Sequence, residues 1–324
     1  MNKRDTLAAL AALWVAPRAS AQSSPPLRVA WLAAVPREGF GQLFFSSFLE
    51  GLAALGYVRG RNLQVDERWS GNSAEEVERH AAELIAQKPA MIVTAGAAAR
   101  VAAKTAASVP VVFGFSGNPI DAGLSTNFGR PDRNMTGISF MVLDLVGKRI
   151  ELLKEIVPRM KRIAVLSNQL HAGEQREYAV TRDAADRLGL EVSYLPFKGV
   201  TDLEKALAAA QESRADAGMV FPDGSTMAIG ATFAAFALRH RMPFVSGWSA
   251  FAEAGNLLTY GPNLNIVWRR VAYYVDRIAK GARPADLPIE LPNTVELVIN
   301  ARTAAALGLK IPQSVLLRAD RVIE

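Results

Sequence analysis

The sequence predicts an α/β protein of two doubly wound parallel-sheet lobes joined by a multi-crossover hinge. Three observations carry this. Short apolar runs alternate with segments whose apolar residues recur at helical spacing, the pattern of a parallel sheet covered by helices. The same order of elements occurs twice: Val29 and Ile163, Gly56 and Gly189, and Pro110 and Pro243 are 134, 133 and 133 residues apart. A strong amphipathic segment follows the second copy, so the chain can return to the first lobe before it ends.

After Pro25-Pro26, Leu27 to Ala34 is a short apolar run, read as a buried parallel strand. Phe44, Phe48, Leu52 and Leu55 mark a helix that stops at Gly56, and Asn62 to Trp69 alternates like a strand. Ser73-Ala-Glu-Glu76 is a capping box that opens a helix bearing Val77, Ala81 and Leu84 on one face. Met91 to Ala95 is a strand, Ala97 to Ala106 an Ala-rich helix and Val109 to Phe115 a strand. The second copy repeats the order. It has a strand at Arg162 to Ser167, a helix at Gln175 to Leu188 and a strand at Leu190 to Leu195. A capping box at Thr201 to Glu204 precedes Leu203, Leu207 and Ala210 on one face. Strands at Ala217 to Phe221 and Pro243 to Ser246 flank a helix near Met227 to His240. Tyr260-Gly-Pro-Asn263 reads as a turn. The helix after it carries Val267, Val271, Tyr274 and Ile278 on one face, and a short helix lies near Ala301 to Leu307. Residues 27–140 with 262–284 form the expected N-terminal lobe, and 141–261 with 285–324 the C-terminal lobe.

The chain has 324 residues, room for two domains at roughly 100–200 residues each. Half of it is hydrophobic and 21% charged, too apolar for disorder. Cysteine is absent, which excludes disulfides, thiolate catalysis, thiolate metal sites and a lipidated cysteine. Residues 1–21 read as a cleavable signal peptide. Lys3 and Arg4 precede an apolar Leu7 to Ala16, and Ala19-Ser-Ala21 supplies the small-x-small site. That apolar run falls short of the ~20 residues that span a bilayer. The net charge of +6 drops to +4 without residues 1–21, and no run of four basic residues occurs. A nucleic-acid footprint is therefore not expected.

Enzyme readings find little support. His80, His171 and His240 form no pairing at metal-ligand spacing. Gly114-Phe-Ser-Gly117 lacks the glycine spacing of a nucleophile elbow, and Gly39-Phe-Gly41 lacks the third glycine of a dinucleotide fingerprint. No catalytic residue, metal or cofactor is expected. A ligand-sensing repressor could share two such lobes, but only about 26 residues precede the first strand, and they read as an export signal rather than a helix-turn-helix.

In doubly wound lobes a ligand binds beyond the carboxyl ends of the strands, at the switch point of strand order. Facing lobes would share one cleft there and close about the hinge. The strand-end residues are the candidates. Thr94-Ala-Gly96 opens a helix whose N-terminus suits a carboxylate, or is an ordinary helix start. Ser116-Gly117-Asn118-Pro119 offers polar groups, or a plain N-cap with Pro at the first helical position. Ser139 and Phe140 lie near the first crossover. In the second lobe the equivalents are Asn168, Pro222-Asp223 and Ser246-Gly-Trp248. Asp223 would receive an ammonium group or cap a helix. Trp248 would stack on an aromatic or apolar ligand or pack in the core. Tyr260 would reach the ligand from the hinge, whereas Trp31, mid-strand, is expected in the core. An aromatic side chain, a helix end and one acid suit an amino acid or a small aromatic acid.

An ordered series of short stretches adds to this. They are Gly51-Leu-Ala-Ala-Leu-Gly-Tyr-Val-Arg-Gly-Arg-Asn62, Ile92-Val-Thr-Ala-Gly96, Pro110-Val-Val-Phe113 with Gly117-Asn-Pro119, and Arg130-Pro with Asn134-Met-Thr-Gly-Ile138. Gly147-Lys-Arg-Ile-Glu-Leu-Leu-Lys154, Tyr260-Gly-Pro-Asn263 and Glu296-Leu-Val-Ile-Asn300 follow. The series resembles the ABC-transporter substrate-binding proteins of the type I periplasmic-binding fold, in the branch that includes tryptophan-binding lipoproteins. The resemblance implies an exported, periplasmic receptor, a small-molecule ligand, a membrane permease as partner and a monomer as the working form. Two positions depart from it: Asn118 stands where relatives often carry Asp, and Asn168-Gln-Leu-His171 lacks the proline usual beside that asparagine.

Overall fold

A computed structural model describes residues 25–71, 73–106 and 108–324. The signal-peptide expectation for residues 1–21 lies outside them. The first sheet consists of β1 (Leu27–Ala33), β2 (Leu63–Trp69), β3 (Met91–Ala95), β4 (Val111–Phe115) and β5 (Met135–Ser139), in the order β2-β1-β3-β4-β5. All of its pairings are parallel, with α1 (Phe40–Ala54), α2 (Ala74–Ala86) and α3 (Ala98–Thr105) in the connections.

Next come α4 (Leu145–Ile156), β6 (Arg162–Asn168), α5 (Glu174–Arg187), β7 (Glu191–Phe197), α6 (Val200–Glu212), β8 (Ala217–Val220), α7 (Gly224–Ala228), α8 (Gly230–His240), β9 (Phe244–Ser246), α9 (Ser249–Glu253) and β10 (Leu258–Pro262). Their strands stand in the order β7-β6-β8-β9-β10, the strand order of the first sheet over again. The internal offset in the sequence is thus a duplication of topology. After α10 (Leu264–Ala279), β11 (Val295–Asn300) joins β10 antiparallel, α11 (Ala301–Ala306) and α12 (Gln313–Leu316) follow, and β12 (Arg321–Ile323) pairs with β11.

β3, β4 and β5 are buried throughout and β1 over most of its length, whereas the edge strand β2 is only partly covered. Trp31, wholly buried on β1, meets Phe45 at 5.0 Å, Phe48 at 5.2 Å and Trp268 at 5.2 Å between ring centroids. Trp268 comes from α10, which lies along α1 and buries Val267, Val271 and Tyr274. The helix after the second copy therefore does return to the first lobe. Ser73 caps α2 through its hydroxyl, which accepts from the Glu76 amide at 3.3 Å. Ser73→Ala is expected to cost about 1 kcal/mol, read as a lowered midpoint in urea unfolding.

Several local expectations are corrected. Tyr260-Gly-Pro262 is not a turn but the end of β10, and Asn263 caps α10 by accepting from the Ile266 amide at 3.1 Å. Pro262 is tolerated because it ends the strand. Gly199, not Thr201, stands at the N-cap of α6. The helix expected near Met227 to His240 is two helices, broken at Ile229. No helix follows Asn118-Pro119: residues 119–123 form a turn closed by the Ala122 amide on the Asn118 carbonyl at 3.0 Å.

Among the described residues the chain passes between the sheets three times: after β5, at Asn263, and at 291–294. These passages are bonded together. Ser139 donates its amide to the Glu290 carbonyl, Glu290 donates to that of Gly137, and Asn263 donates from Nδ2 to Glu296 at 2.8 Å. Residues 287–290, expected in the C-terminal lobe, instead run beside β5. There Thr136 Oγ1 donates to the Leu287 carbonyl at 2.8 Å.

Candidate functional site

In both sheets the chain first adds a strand on one side and then returns to the other, which places the switch points between β1 and β3 and between β6 and β8. One cavity of about 390 Å³ touches all four of those strand ends. The first lobe supplies Ala34 and Val35 after β1, Gly96 and Ala97 between β3 and α3, Ser116 after β4, and Ser73 and Ala74 at the start of α2. The second lobe supplies Asn168 at the end of β6, Leu170 to Ala172, and Asp223 to Ser225 at the start of α7.

The cavity is chemically polarised. Asp223 is 3% exposed, and its carboxylate is divided between two tasks. Oδ1 accepts from the amides of Ser225 at 2.5 Å and Thr226 at 3.0 Å, closing a capping box. Oδ2 is buried and has no hydrogen-bond partner among the described residues. A buried carboxylate oxygen without a donor is costly unless something else supplies one. On the first lobe, Gly96 takes φ +67° and leads into α3, whose N-terminus no side chain caps. That start carries partial positive charge, although the Ala99 and Arg100 amides already turn back on the Gly96 and Ala97 carbonyls at 3.2 and 3.1 Å. Arg100 and Lys104, one and two turns further along α3, also line the cavity. Val77, Val101, Phe115, Leu170 and Ala172 make its apolar wall.

His171 lines the same space, and both its ring nitrogens are buried without partners among the described residues. Behind it, Glu177 on α5 is buried against Arg149 on α4, with Nη1 donating to Oε1 at 3.1 Å. Burial pushes the Glu177 carboxyl above the ordinary carboxylate range, and nearby Asp223 pushes the same way, against the pull of Arg149 and His171.

Four of the ten sequence candidates, Gly96, Ser116, Asn168 and Asp223, line the cavity. Thr94 lies two residues before Gly96 in β3, fully buried, with Oγ1 lacking a partner among the described residues. Gly117 and Asn118 sit on the lip, where the lobes touch: the Asn118 amide donates to the Ala172 carbonyl at 3.0 Å, and Asn118 Oδ1 holds its own turn at the amides of Ile120 and Asp121. A Cβ on Gly117 would stand 2.5 Å from that same Ala172 carbonyl. Arg176 and Asp121 add an ion pair at 2.6 Å across the lip.

The structure places the other three outside the lining. Ser139, 1% exposed, donates to the Gly117 carbonyl at 2.9 Å and so steadies the lip from behind. Trp248, 3% exposed, lies edge-on to Phe140 at 6.1 Å in the hinge. Tyr260 belongs to β10, and its carbonyl accepts from Arg149 Nε at 2.8 Å. Arg100, Lys104 and Ser225 were not among the candidates. The i, i+4 spacing of Arg100 and Lys104, beginning one turn after Gly96, was the available signal.

Two doubly wound lobes whose switch points share one cavity, joined by three bonded passages, define a bilobal solute-binding protein of the type I periplasmic-binding fold. A family model described as ABC transporter substrate binding protein matches residues 37–323, and the chain belongs to that family. A curated relative, a tyrosine-binding protein of Clostridioides difficile (strain R20291), is 21% identical over 265 residues, which is 81% of this chain and 76% of the relative. Among solved structures, an ABC domain from Streptococcus pneumoniae in complex with L-Trp superimposes with a TM-score of 0.86 at 24% identity, covering 93% of this chain and 100% of that one. A conserved domain protein from Vibrio cholerae superimposes with a TM-score of 0.85 at 23% identity, covering 91% and 99%.

Proposed function

We propose that this chain is the periplasmic receptor of an ABC importer, and that it binds an α-amino acid with an apolar or aromatic side chain and presents it to a membrane permease by closing its lobes. One observation carries the reading. The cavity sets the unpartnered Asp223 carboxylate oxygen and the uncapped start of α3 around an apolar wall. An ammonium group answers the first, a carboxylate the second, and an apolar side chain fills the rest. The L-Trp and tyrosine of the relatives' names are ligands of that form. The receptor performs no chemistry on its ligand, works as a monomer and is exported by a signal peptide removed after Ala21.

Calorimetric titration with amino acids and their deaminated and decarboxylated analogues tests the reading. It predicts binding by one or more amino acids with apolar side chains and much weaker binding by both kinds of analogue. Heat from none of the amino acids, or equal binding by the deaminated form, rejects it. Export is tested separately, by the mass of the protein recovered from its own cells: an N-terminus at Gln22 supports it, and an intact Met1 in the cytosol does not.

A further inference from the structure

We propose that Arg149 is a positioning residue. Its guanidinium holds the ligand-binding edge of the second lobe in one arrangement and ties that edge to two of the three hinge passages. Arg149 sits on α4, the first helix after the first passage, and is 2% exposed. Each part of its fork meets a different element. Nε donates to the Tyr260 carbonyl at 2.8 Å, two residues before β10 gives way to the second passage. Nη1 donates to Glu177 on α5 at 3.1 Å. Nη2 lies in room left by Gly247, where a Cβ would stand 2.7 Å from it and 2.7 Å from Pro222, the residue preceding Asp223.

The strand geometry explains why an arginine is needed at this point. β9 ends at Ser246, and its register with β10 stops at Thr259. Beyond that β10 is still paired with β11 on its other side, but β9 no longer pairs with it, and the side chain of Arg149 bridges the unpaired side. Stability alone does not account for it. A buried ion pair loses so much hydration that an apolar pair of similar size is often as stable or more so. A planar fork with fixed donor directions supplies defined geometry that an apolar side chain does not.

The inference rests on the proposed reading for the importance of the Asp223 loop, but its test needs no ligand. Amide hydrogen exchange and thermal melting of the full chain are compared in wild type, Arg149→Lys, Arg149→Met and the double variant Arg149→Met with Glu177→Leu. The double variant removes the buried charge together with its partner. It is expected to melt close to wild type, while the amides of Ser225, Thr226 and Gly261 exchange about tenfold faster or more and those of β3 are unchanged. Arg149→Lys should fall between. A double variant that exchanges as wild type at those three amides overturns the proposal. So does one that speeds exchange uniformly across the second sheet, or one that fails to fold, because each makes Arg149 a matter of stability or of nothing. If the exchange result holds while the amino-acid titrations are all negative, Arg149 still sets the edge, and it is the occupant that was misread.

Discussion

Asp223→Asn should weaken ligand binding by about 2–5 kcal/mol, which is roughly thirtyfold or more, with little change in melting temperature. The substitution separates the two tasks of one side chain. An Asn oxygen still accepts from the Ser225 and Thr226 amides, so the start of α7 stays capped. The second oxygen, which has no partner among the described residues, becomes an NH₂ group that presents hydrogens to an ammonium group instead of accepting from it. Calorimetry of the amino acid and its deaminated analogue checks the assignment. The variant should lose the preference for the amine-bearing compound and bind the analogue no worse than wild type does. A variant that retains wild-type affinity for the amino acid places the ammonium group elsewhere.

Gly117→Ala should weaken binding by about 1–3 kcal/mol through the contact between lobes. The new methyl would stand 2.5 Å from the Ala172 carbonyl, a backbone atom that cannot swing aside, and 2.9 Å from the Phe115 ring, which can. The hydrogen bond from the Asn118 amide to the same carbonyl would lengthen or break. Small-angle scattering with saturating ligand should show a larger radius of gyration than wild type, while the unliganded proteins should match. Equal affinity and equal compaction would show that the lip contact has no part in binding.

Much of this architecture is legible in the sequence because buried parallel strands are apolar runs and their helices announce themselves by spacing and caps. The doubled order of elements, the capping Ser73 and the buried Trp31 all follow from that chemistry. The elements that escaped are those whose local sequence says something else. β5 contains Thr136, Gly137 and Ser139, and it is a strand because β4 and residues 287–290 flank it. Tyr260-Gly-Pro262 carries turn residues but pairs with β11, which arrives some 30 residues later in the chain. Arg149 looks like a surface residue of an amphipathic helix and becomes a core one only when α4, α5 and β10 meet. At the site, Gly96, Ser116, Asn168 and Asp223 could be chosen from the strand-end rule alone. The sequence could not divide the two oxygens of Asp223, because capping and ligand contact call for the same residue and only the fold shows one oxygen capping α7 while the other has no partner among the described residues. Trp248 illustrates the converse: a large aromatic at a strand end satisfies the same rule, yet Phe140 from the first passage takes it into the hinge.

A crystal structure of the protein with an amino acid found by titration tests the central claim most directly. The account predicts the ligand in the cavity between the strand ends, its nitrogen about 3 Å from Asp223 Oδ2 and its carboxylate against the first amides of α3. A ligand turned end for end, or one seated in the hinge against Trp248, would contradict it.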